Sequence, residues 1–549
     1  MKILIKQRSL WLLVSLLFLA MLACGGSDGP PSNAVVIDVL ANSSLQPWLE
    51  TAVAQFNESE TETAAGDPVF VQLAVADAGQ AVVNLADGDN PSIWIPDHEV
   101  WPAVLAAQGN NAYTGDCASM AESPLVIAMW RGAAESLGWP GRELGWLDIG
   151  SLAADPTAWN YYSGGQYGDV LRLGHTHPGL SGTGTSTLLA LVQAAEAQNE
   201  AVTVDDIEQP IVQASVGAFE GAVSWFSSDT ANLAQTMAQR GTDFLGAAVM
   251  YESDVLQNSG GAEQLVPVYP FEGTFVATHP ACLNGNLGGE EREAAGLFRD
   301  YLLGEEAQQL AVTNGLRPVN DSVAVGAPLD PGRGVDLAQP VVTFADPTVD
   351  TVFAVQDLWQ QARKDVNLVM LIDVSGSMRG DKIANVQQAA RQFVQQMGDD
   401  DIITIYAFSS RPDLIVDHQQ VGPNRPQIIA AIDQLSASGD TALYDAIGSG
   451  AVKLQETSSP ETANALVVLS DGQDTFSTRY RFDEALLNLV LDSGATVFTI
   501  AYGGDANENL LQELAFQANG NFFLGDEASI AAIYEEMSAA FGGSVGVGR

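Results

Sequence analysis

The sequence predicts an α/β fold for this chain, with two regions that each form an open, mostly parallel sheet. Apolar runs typical of buried strands alternate with helical patterns from Ala34 to about Val325, and again from about Thr351 to Phe541. Between these regions, residues 326–350 contain several Pro and Gly residues and no sustained period, which indicates a linker lying over the surface. In the second region the alternation predicts a doubly wound sheet, followed by a Gly-rich flexible tail at 542–549.

The first residues have the pattern of an export signal. Residues 1–23 join a basic head to an apolar stretch too short to span a bilayer, which is typical of a signal peptide. Residues 21–25 resemble a bacterial lipobox, and the resemblance implies cleavage before Cys24, lipidation of its thiol and a flexible tether over 24–33. The alternative is a lone buried cysteine in an uncleaved anchor. We expect an exported protein, lipid-anchored to the bacterial cell membrane or envelope.

The charge balance is strongly acidic. The chain has a net charge of −46, and loss of residues 1–23, which hold three basic residues and no acids, would bring it to −49. Nucleic acid is therefore excluded as a partner, because its phosphates would be repelled. Either a saline habitat or simple colloidal repulsion would account for this surplus of acids.

Two cysteines remain after the lipidation candidate. In an exported chain an even pair suggests a disulfide, so we predict that Cys117 and Cys282 are joined. Two separate buried thiols are the alternative.

A polar cluster follows the apolar run that ends at residue 372. Asp373, Ser375 and Ser377 stand at alternate positions, so their side chains would converge beyond the end of a buried strand. An acid with two hydroxyls suits a hard cation such as Mg²⁺, which prefers oxygen ligands. The alternative is a strand followed by a tight turn, since Asp, Ser and Gly are ordinary turn residues.

Two downstream residues complete the pattern. Thr441 and Asp471 also lie near predicted strand ends, and with D-x-S-x-S they resemble the metal-ion-dependent adhesion site of von Willebrand factor A domains. The resemblance implies that Asp373, Ser375, Ser377, Thr441 and Asp471 bind Mg²⁺ or another divalent cation. It also implies a domain at 351–541 that uses the ion to grip an acidic side chain of a partner protein.

The element order of residues 34–325 resembles the type II periplasmic substrate-binding fold of bacterial solute receptors, in which two lobes clamp a ligand. By position in that fold, the resemblance implies a cleft lined by Ser43, Ser44, Asp97, Ser181, Thr183, Tyr251 and Glu252. It also implies that Cys117 and Cys282 lie near the crossing between the lobes, where a covalent bond would limit hinge opening. The hydroxyls at 181–186 precede a helix, whose N-terminus would bind a small polar or anionic ligand. An N-capped surface helix is the alternative, and Asp97 and Glu252 are unusual neighbours for an inorganic anion.

The sequence favours a binding protein over an enzyme. It contains no H-E-x-x-H, G-x-x-x-x-G-K-[ST] or G-x-S-x-G motif. The combination of domains resembles bacterial surface lipoproteins with a solute-binding-like domain and a von Willebrand A domain. We expect a cell-envelope lipoprotein that binds a partner protein through the metal site and a small polar ligand in the cleft. The alternative is the capture component of an ABC-type transporter with an accessory A domain.

Overall fold

The structure is a computed structural model that describes residues 29–31, 33–86, 88, 90–261, 263–459 and 461–542. The predicted signal peptide, the lipidation candidate Cys24 and the tail beyond residue 542 lie outside the described residues. Among the helices that the structure describes, none has the length and apolar character needed to cross a membrane.

The first region folds into two lobes, each built on its own sheet. The chain first forms β1 (Val35–Ala41), α1 (Gln46–Glu58), β2 (Val69–Val75), α2 (Ala78–Ala86), β3 (Ile93–Ile95), α3 (Val100–Ala107) and β4 (Asp116–Ser119). Much later it returns with β11 (Pro280–Leu283), α12 (Gly289–Leu302) and α13 (Glu305–Thr313). These strands make the five-stranded sheet of lobe 1, in the order β2-β1-β3-β11-β4. Strands β1, β2 and β3 are parallel, so their C-terminal ends share one edge.

Lobe 2 is formed by the chain between these two passages. Its elements are β5 (Ala121–Trp130), α4 (Arg131–Ser136), α5 (Trp146–Ala154), α6 (Pro156–Ser163), β6 (Leu173–Thr176), α7 (Gly182–Glu196), α8 (Val204–Ile207), α9 (Pro210–Ala222), β7 (Val223–Ser227), α10 (Thr230–Arg240), β8 (Ala247–Tyr251), α11 (Glu252–Gln257), β9 (Leu265–Val268) and β10 (Val276–Ala277). Its sheet runs β10-β5-β8-β6-β7, and both β9 and β12 (Arg317–Pro318) also pair with β5.

The chain crosses between the lobes from β4 to β5 and back from β10 to β11. Cys117 and Cys282 are register partners in β4 and β11, and they form a disulfide with a Cα–Cα distance of 4.0 Å. Both strands belong to the sheet of lobe 1. The expectation that this bond limits hinge opening is therefore wrong, because a bond within one lobe does not tie the lobes to each other.

The stretch between the two regions is more ordered than its composition suggests. Leu329, Val335 and Phe344 are buried, and a β-bridge joins Thr274 to Thr343. Helix α14 (Val349–Ala362) begins before the predicted end of the linker, because Thr348 caps it by accepting a hydrogen bond from the Thr351 amide.

The second region contains one six-stranded sheet. In chain order it has β13 (Val366–Asp373), α15 (Asp381–Gln396), β14 (Ile402–Phe408), β15 (Pro412–Gln420), α16 (Val421–Asp433), α17 (Leu443–Thr457), β16 (Ala463–Ser470), α18 (Glu484–Leu491), β17 (Thr496–Tyr502), α19 (Glu508–Gln517), β18 (Phe522–Gly525) and α20 (Ile530–Ala540). The strand order is β15-β14-β13-β16-β17-β18, and only β15 is antiparallel to its neighbour. Every residue of the central strand β13 is buried, as expected for a strand covered by helices on both faces.

The second region packs directly against lobe 2. The rings of Trp225 in β7 and Phe498 in β17 stack with centroids 5.4 Å apart and planes 14° apart. The Trp359 indole of α14 donates to the Glu220 carboxylate in α9 at 2.9 Å, and the Asn232 amide donates to Glu536 at 3.0 Å. Buried side chains of lobe 2 and of the second region form one continuous apolar cluster. The two regions therefore share a core and are not joined by the linker alone.

Candidate functional site

The predicted metal site lies where the parallel strands of the second region end. Asp373 is the last residue of β13, and its carboxylate is buried. One of its oxygens accepts a hydrogen bond from the Ser375 amide at 2.8 Å, and the other accepts from the Ser470 hydroxyl at the end of β16 at 2.6 Å. These two bonds hold the carboxylate at the junction of two neighbouring strands.

Asp471 approaches the same point from the next strand. Its Oδ1 accepts a hydrogen bond from the Ser377 hydroxyl at 2.6 Å, and the Ser375 and Ser377 hydroxyls lie 3.0 Å apart. Asp373, Ser375, Ser377 and Asp471 are thus connected through consecutive hydrogen bonds.

Thr441 reaches the site on the segment that precedes α17. A Cβ atom placed on Gly472 would lie 3.7 Å from the Thr441 hydroxyl oxygen, so this hydroxyl borders the Asp471 strand end. The Gly376 amide donates to the Gly439 carbonyl at 3.0 Å and holds the two segments together. The structure therefore brings all five sequence-predicted residues to one edge of the sheet.

The electrostatics of this edge favour a positive charge. Burial raises the pKa of Asp373, hydrogen bonds from Ser470 and Ser375 oppose that rise, and the nearby charge of Asp471 adds to it. Lys382, in the first turn of α15, places its ammonium 2.5 Å from the other Asp471 oxygen. Lys382 was not among the sequence-predicted residues, although a basic residue in the helical turn just after D-x-S-x-S is a signal that could have found it.

The donor set fits a hard divalent cation. Two carboxylates and three hydroxyls supply only oxygen, the ligand atom that Mg²⁺ prefers. Across the described part of the chain, no group of three or more His, Cys, Asp or Glu side chains is placed to hold a metal ion. A cation at the Asp373 site would therefore depend on the hydroxyls of Ser375, Ser377 and Thr441 as much as on its two acids.

The cleft between the lobes is centred on Asp77, which was not among the sequence-predicted residues. Asp77 follows β2, and its Oδ1 accepts hydrogen bonds from the Ser43 amide at 3.2 Å, the Ser43 hydroxyl at 2.5 Å and the Asn42 side-chain amide at 3.3 Å. An acid just beyond the end of a strand was the signal that could have found it, as it found Asp373.

Lobe 2 supplies the partners of the other Asp77 oxygen. Oδ2 accepts hydrogen bonds from the Ser181 hydroxyl at 2.5 Å, the Thr230 amide at 3.1 Å and the Thr230 hydroxyl at 3.0 Å. The Thr183 hydroxyl lies 2.8 Å from that of Ser181 and 2.7 Å from that of Thr230. The predicted residues Ser43, Ser181 and Thr183 thus meet around a carboxylate of the chain itself.

Two further hydrogen bonds cross between the lobes. The Tyr251 hydroxyl donates to Asp97 at 2.6 Å, and the Ser44 hydroxyl donates to Asp254 at 2.9 Å. Asp97 packs against the start of α7 so closely that a Cβ on Gly182 would lie 1.9 Å from its Oδ2, so only glycine fits there.

The expectation that Glu252 lines this cleft is wrong. Its carboxylate forms a buried ion pair with Arg317, with nitrogen–oxygen distances of 2.7 and 2.8 Å, and it also accepts a hydrogen bond from Tyr269. Glu252 is the first residue of α11, so its side chain leaves in a different direction from that of Asp254. Position in the chain order could not distinguish these two acids.

Three acids around Asp77 hold protons more tightly than usual. Burial raises the pKa of Asp97 to about 6 and those of Asp229 and Asp254 to about 7, and the charge of Asp77 adds to each rise. Hydrogen bonds from Tyr251 to Asp97 and from Ser44 to Asp254 act in the opposite direction. Charge on these carboxyls is therefore unfavourable in the closed cleft.

Two sequence families match the chain. The family described as bacterial extracellular solute-binding protein matches residues 37–317, just over half of the chain, and the von Willebrand factor type A domain matches residues 367–536. A curated relative, "Uncharacterized protein sll0103" of a Synechocystis strain, is 29% identical over 161 residues, which are 29% of this chain and 37% of that protein. The chain thus spans well under half the length of that relative.

Solved structures with similar folds include two binding proteins. The sulfate-binding protein SubI from Mycobacterium tuberculosis has 18% identity and a TM-score of 0.40, over 58% of this chain and 96% of its own. A periplasmic thiamin binding protein has 13% identity and a TM-score of 0.45, over 62% of this chain and 99% of its own.

Proposed function

The chain belongs to the bacterial extracellular solute-binding protein family and carries a von Willebrand factor A domain, and from this premise we propose that it recruits a partner protein outside the cytoplasm through a divalent cation. Both domains are binding modules, so both support a binding function. The anchoring lipid at Cys24 is part of the proposal and would keep the protein at the cell envelope.

One observation carries this proposal: five oxygen-bearing side chains from three separate segments converge at the C-terminal edge of one sheet. Asp373, Asp471 and the hydroxyls of Ser375, Ser377 and Thr441 would hold Mg²⁺ or a related ion. The bound ion would supply a positive centre that attracts a carboxylate of the partner. The five oxygen donors would leave about one of the roughly six coordination positions of Mg²⁺ open, and the partner carboxylate could fill it.

The position of the site also suits a partner. The contacts with lobe 2 involve Phe498, Gly520 and Glu536, whereas Asp373 and Asp471 stand at the C-terminal ends of their strands. Ser377 is exposed, so one of the five residues already faces solvent. A partner protein could therefore reach the site while the second region stays packed against lobe 2.

A second candidate function is solute capture for an ABC-type transporter, with the A domain as an accessory. The family match over residues 37–317 favours it, since members of this family are solute-binding proteins. The buried hydrogen-bond network around Asp77 argues against it, because chain atoms already pair the donors that would otherwise hold a solute.

The test is a calorimetric titration of the full-length protein with MgCl₂, together with capture on beads carrying an Asp- and Glu-rich peptide. We expect Mg²⁺ binding and EDTA-sensitive capture by the wild type, and loss of both in Asp373→Ala. Asp492→Ala, which removes an exposed acid of the same domain, is the matched control and should behave as wild type. Equal capture with Mg²⁺, with EDTA and in Asp373→Ala would refute the proposal.

A further inference from the structure

The Asp77 carboxylate has the surroundings of a bound anion. Six donor groups point at its two oxygens, three from lobe 1 and three from lobe 2. Asp77 itself is buried, and these six donors are amide and hydroxyl groups. Amides and hydroxyls that donate to a carboxylate compensate its charge, which is how proteins commonly hold small oxyanions.

The elements that supply these donors begin at the site. Ser181 is the residue before α7, Thr230 is the first residue of α10, and Ser43 begins a short 3-10 turn after β1. The positive ends of two helices of lobe 2 therefore face Asp77 together with their hydroxyls. This arrangement explains why the sequence pattern at 181–186 pointed to an anion, although Asp77 fills the place.

We propose that Asn42, Ser43, Ser181 and Thr230 form an oxyanion-binding site between the lobes, here called the seat. The chain's own Asp77 occupies this site as an internal ligand and holds the lobes closed without a solute. The seat has the chemistry for a small carboxylate. Removal of the Asp77 side chain would free the same donors for an external carboxylate, such as formate. This inference goes beyond the proposed metal-dependent function and does not depend on it.

The surroundings of Asp77 exclude a second anion. Asp97, Asp229 and Asp254 lie close enough for the charge of Asp77 to raise the pKa of each. An external anion beside Asp77 would add to this repulsion inside a buried site. The seat therefore accepts an external carboxylate only in place of Asp77.

The backbone next to Asp77 leaves little space between the lobes. The Gln80 amide of lobe 1 donates to the Leu180 carbonyl of lobe 2 at 2.8 Å. A Cβ on Gly79 would lie 2.3 Å from the Gly179 carbonyl oxygen, so the two lobes touch through main-chain atoms. Contact this close fits lobes that close on a side chain of their own.

The experiment is a chemical rescue measured on the full-length protein. Asp77→Ala removes the carboxylate and leaves space of about the size of formate, so we expect a lower Tm that formate restores in a saturable manner. Asp77→Asn fills the same space with a neutral amide and should not respond to formate. Asp300→Ala, which removes an exposed acid of α12, controls for the change in net charge and should match wild type.

Two results would overturn the inference. One is a wild type whose Tm rises with formate as much as that of Asp77→Ala, since the seat would then be free beside Asp77. The other comes from X-ray scattering of the wild type in solute-free buffer. We expect the curve of the closed lobes, and an open curve would show that Asp77 does not hold the lobes closed. The scattering test decides the matter even if Asp77→Ala does not fold.

Discussion

The Lys382 ammonium lies 2.5 Å from the Asp471 carboxylate, so a cation of the chain itself stands at the predicted metal site. The Lys382 side chain is 30% exposed, whereas that of Asp471 is fully buried. Lys382 can therefore move toward solvent, while Asp471 stays in place. Without a metal ion, this ion pair compensates part of the charge of the two acids.

Substitution Lys382→Met should make the second region more dependent on a divalent ion. In EDTA we expect the free energy of unfolding to fall by up to about 3 kcal/mol, because the buried Asp471 carboxylate would lose its charged partner. Addition of Mg²⁺ should raise the Tm of the variant more than that of the wild type. Arg391→Met removes a cation from the same helix, away from the site, and is the control. An equal Mg²⁺-induced shift in all three proteins would contradict this role of Lys382.

The raised pKa values of the cleft acids predict that the stability of the folded protein falls as the pH rises. Asp97, Asp229 and Asp254 have pKa values of about 6 to 7 in the folded protein, against about 3.9 in an unfolded chain. The folded state therefore binds more protons than the unfolded state, and it loses stability as the pH rises through this range. We expect a higher Tm at pH 5.5 than at pH 8.

The matched variant for this pH profile is Asp254→Asn, which is neutral at every pH and should flatten the decline. Asp300→Asn changes an exposed acid and should leave the profile as in the wild type. A Tm that rises from pH 5.5 to pH 8 would be inconsistent with protonated acids in the cleft.

Removal of the disulfide should destabilise the first region without opening its cleft. The bond closes a loop with a sequence separation of 165 residues, for which the chain-entropy model gives up to about 5 kcal/mol. Replacing Cys117 and Cys282 together by Ala should lower the denaturation midpoint by a corresponding amount. The scattering curve of the folded variant should remain that of the wild type, since both cysteines belong to lobe 1. A more open curve would indicate that the bond restrains the hinge after all.

The contact between Trp225 and Phe498 should couple the unfolding of the two regions. Trp225→Ala removes a nearly buried ring from their shared core, a change that typically costs about 3–5 kcal/mol. We expect scanning calorimetry to resolve two transitions in the variant where the wild type has one. Tyr161→Ala removes a ring that is 82% exposed and should have no such effect. Two transitions already present in the wild type would show that the regions unfold independently.

The fold class was predictable because it depends on local patterns. Apolar runs of strand length that alternate with amphipathic helices can be recognised directly in the sequence. The prediction of a two-lobed binding-protein-like domain followed by a doubly wound von Willebrand A domain is confirmed. The D-x-S-x-S residues were visible for the same reason, since they follow one another at the end of a single strand. Their role as metal ligands stays a prediction.

By itself, the sequence determined the order of the elements and the residue types at the ends of the strands. Only the tertiary structure decided which partners those residues meet, because the donors to Asp77 come from Asn42, Ser43, Ser181 and Thr230, which no local pattern connects. The same holds for Glu252, whose side chain turns to Arg317, and for Trp225, which packs on a strand of the other region. Such contacts depend on how sheets and lobes pack in three dimensions, where residues far apart in the chain bury apolar surface and satisfy each other's hydrogen bonds.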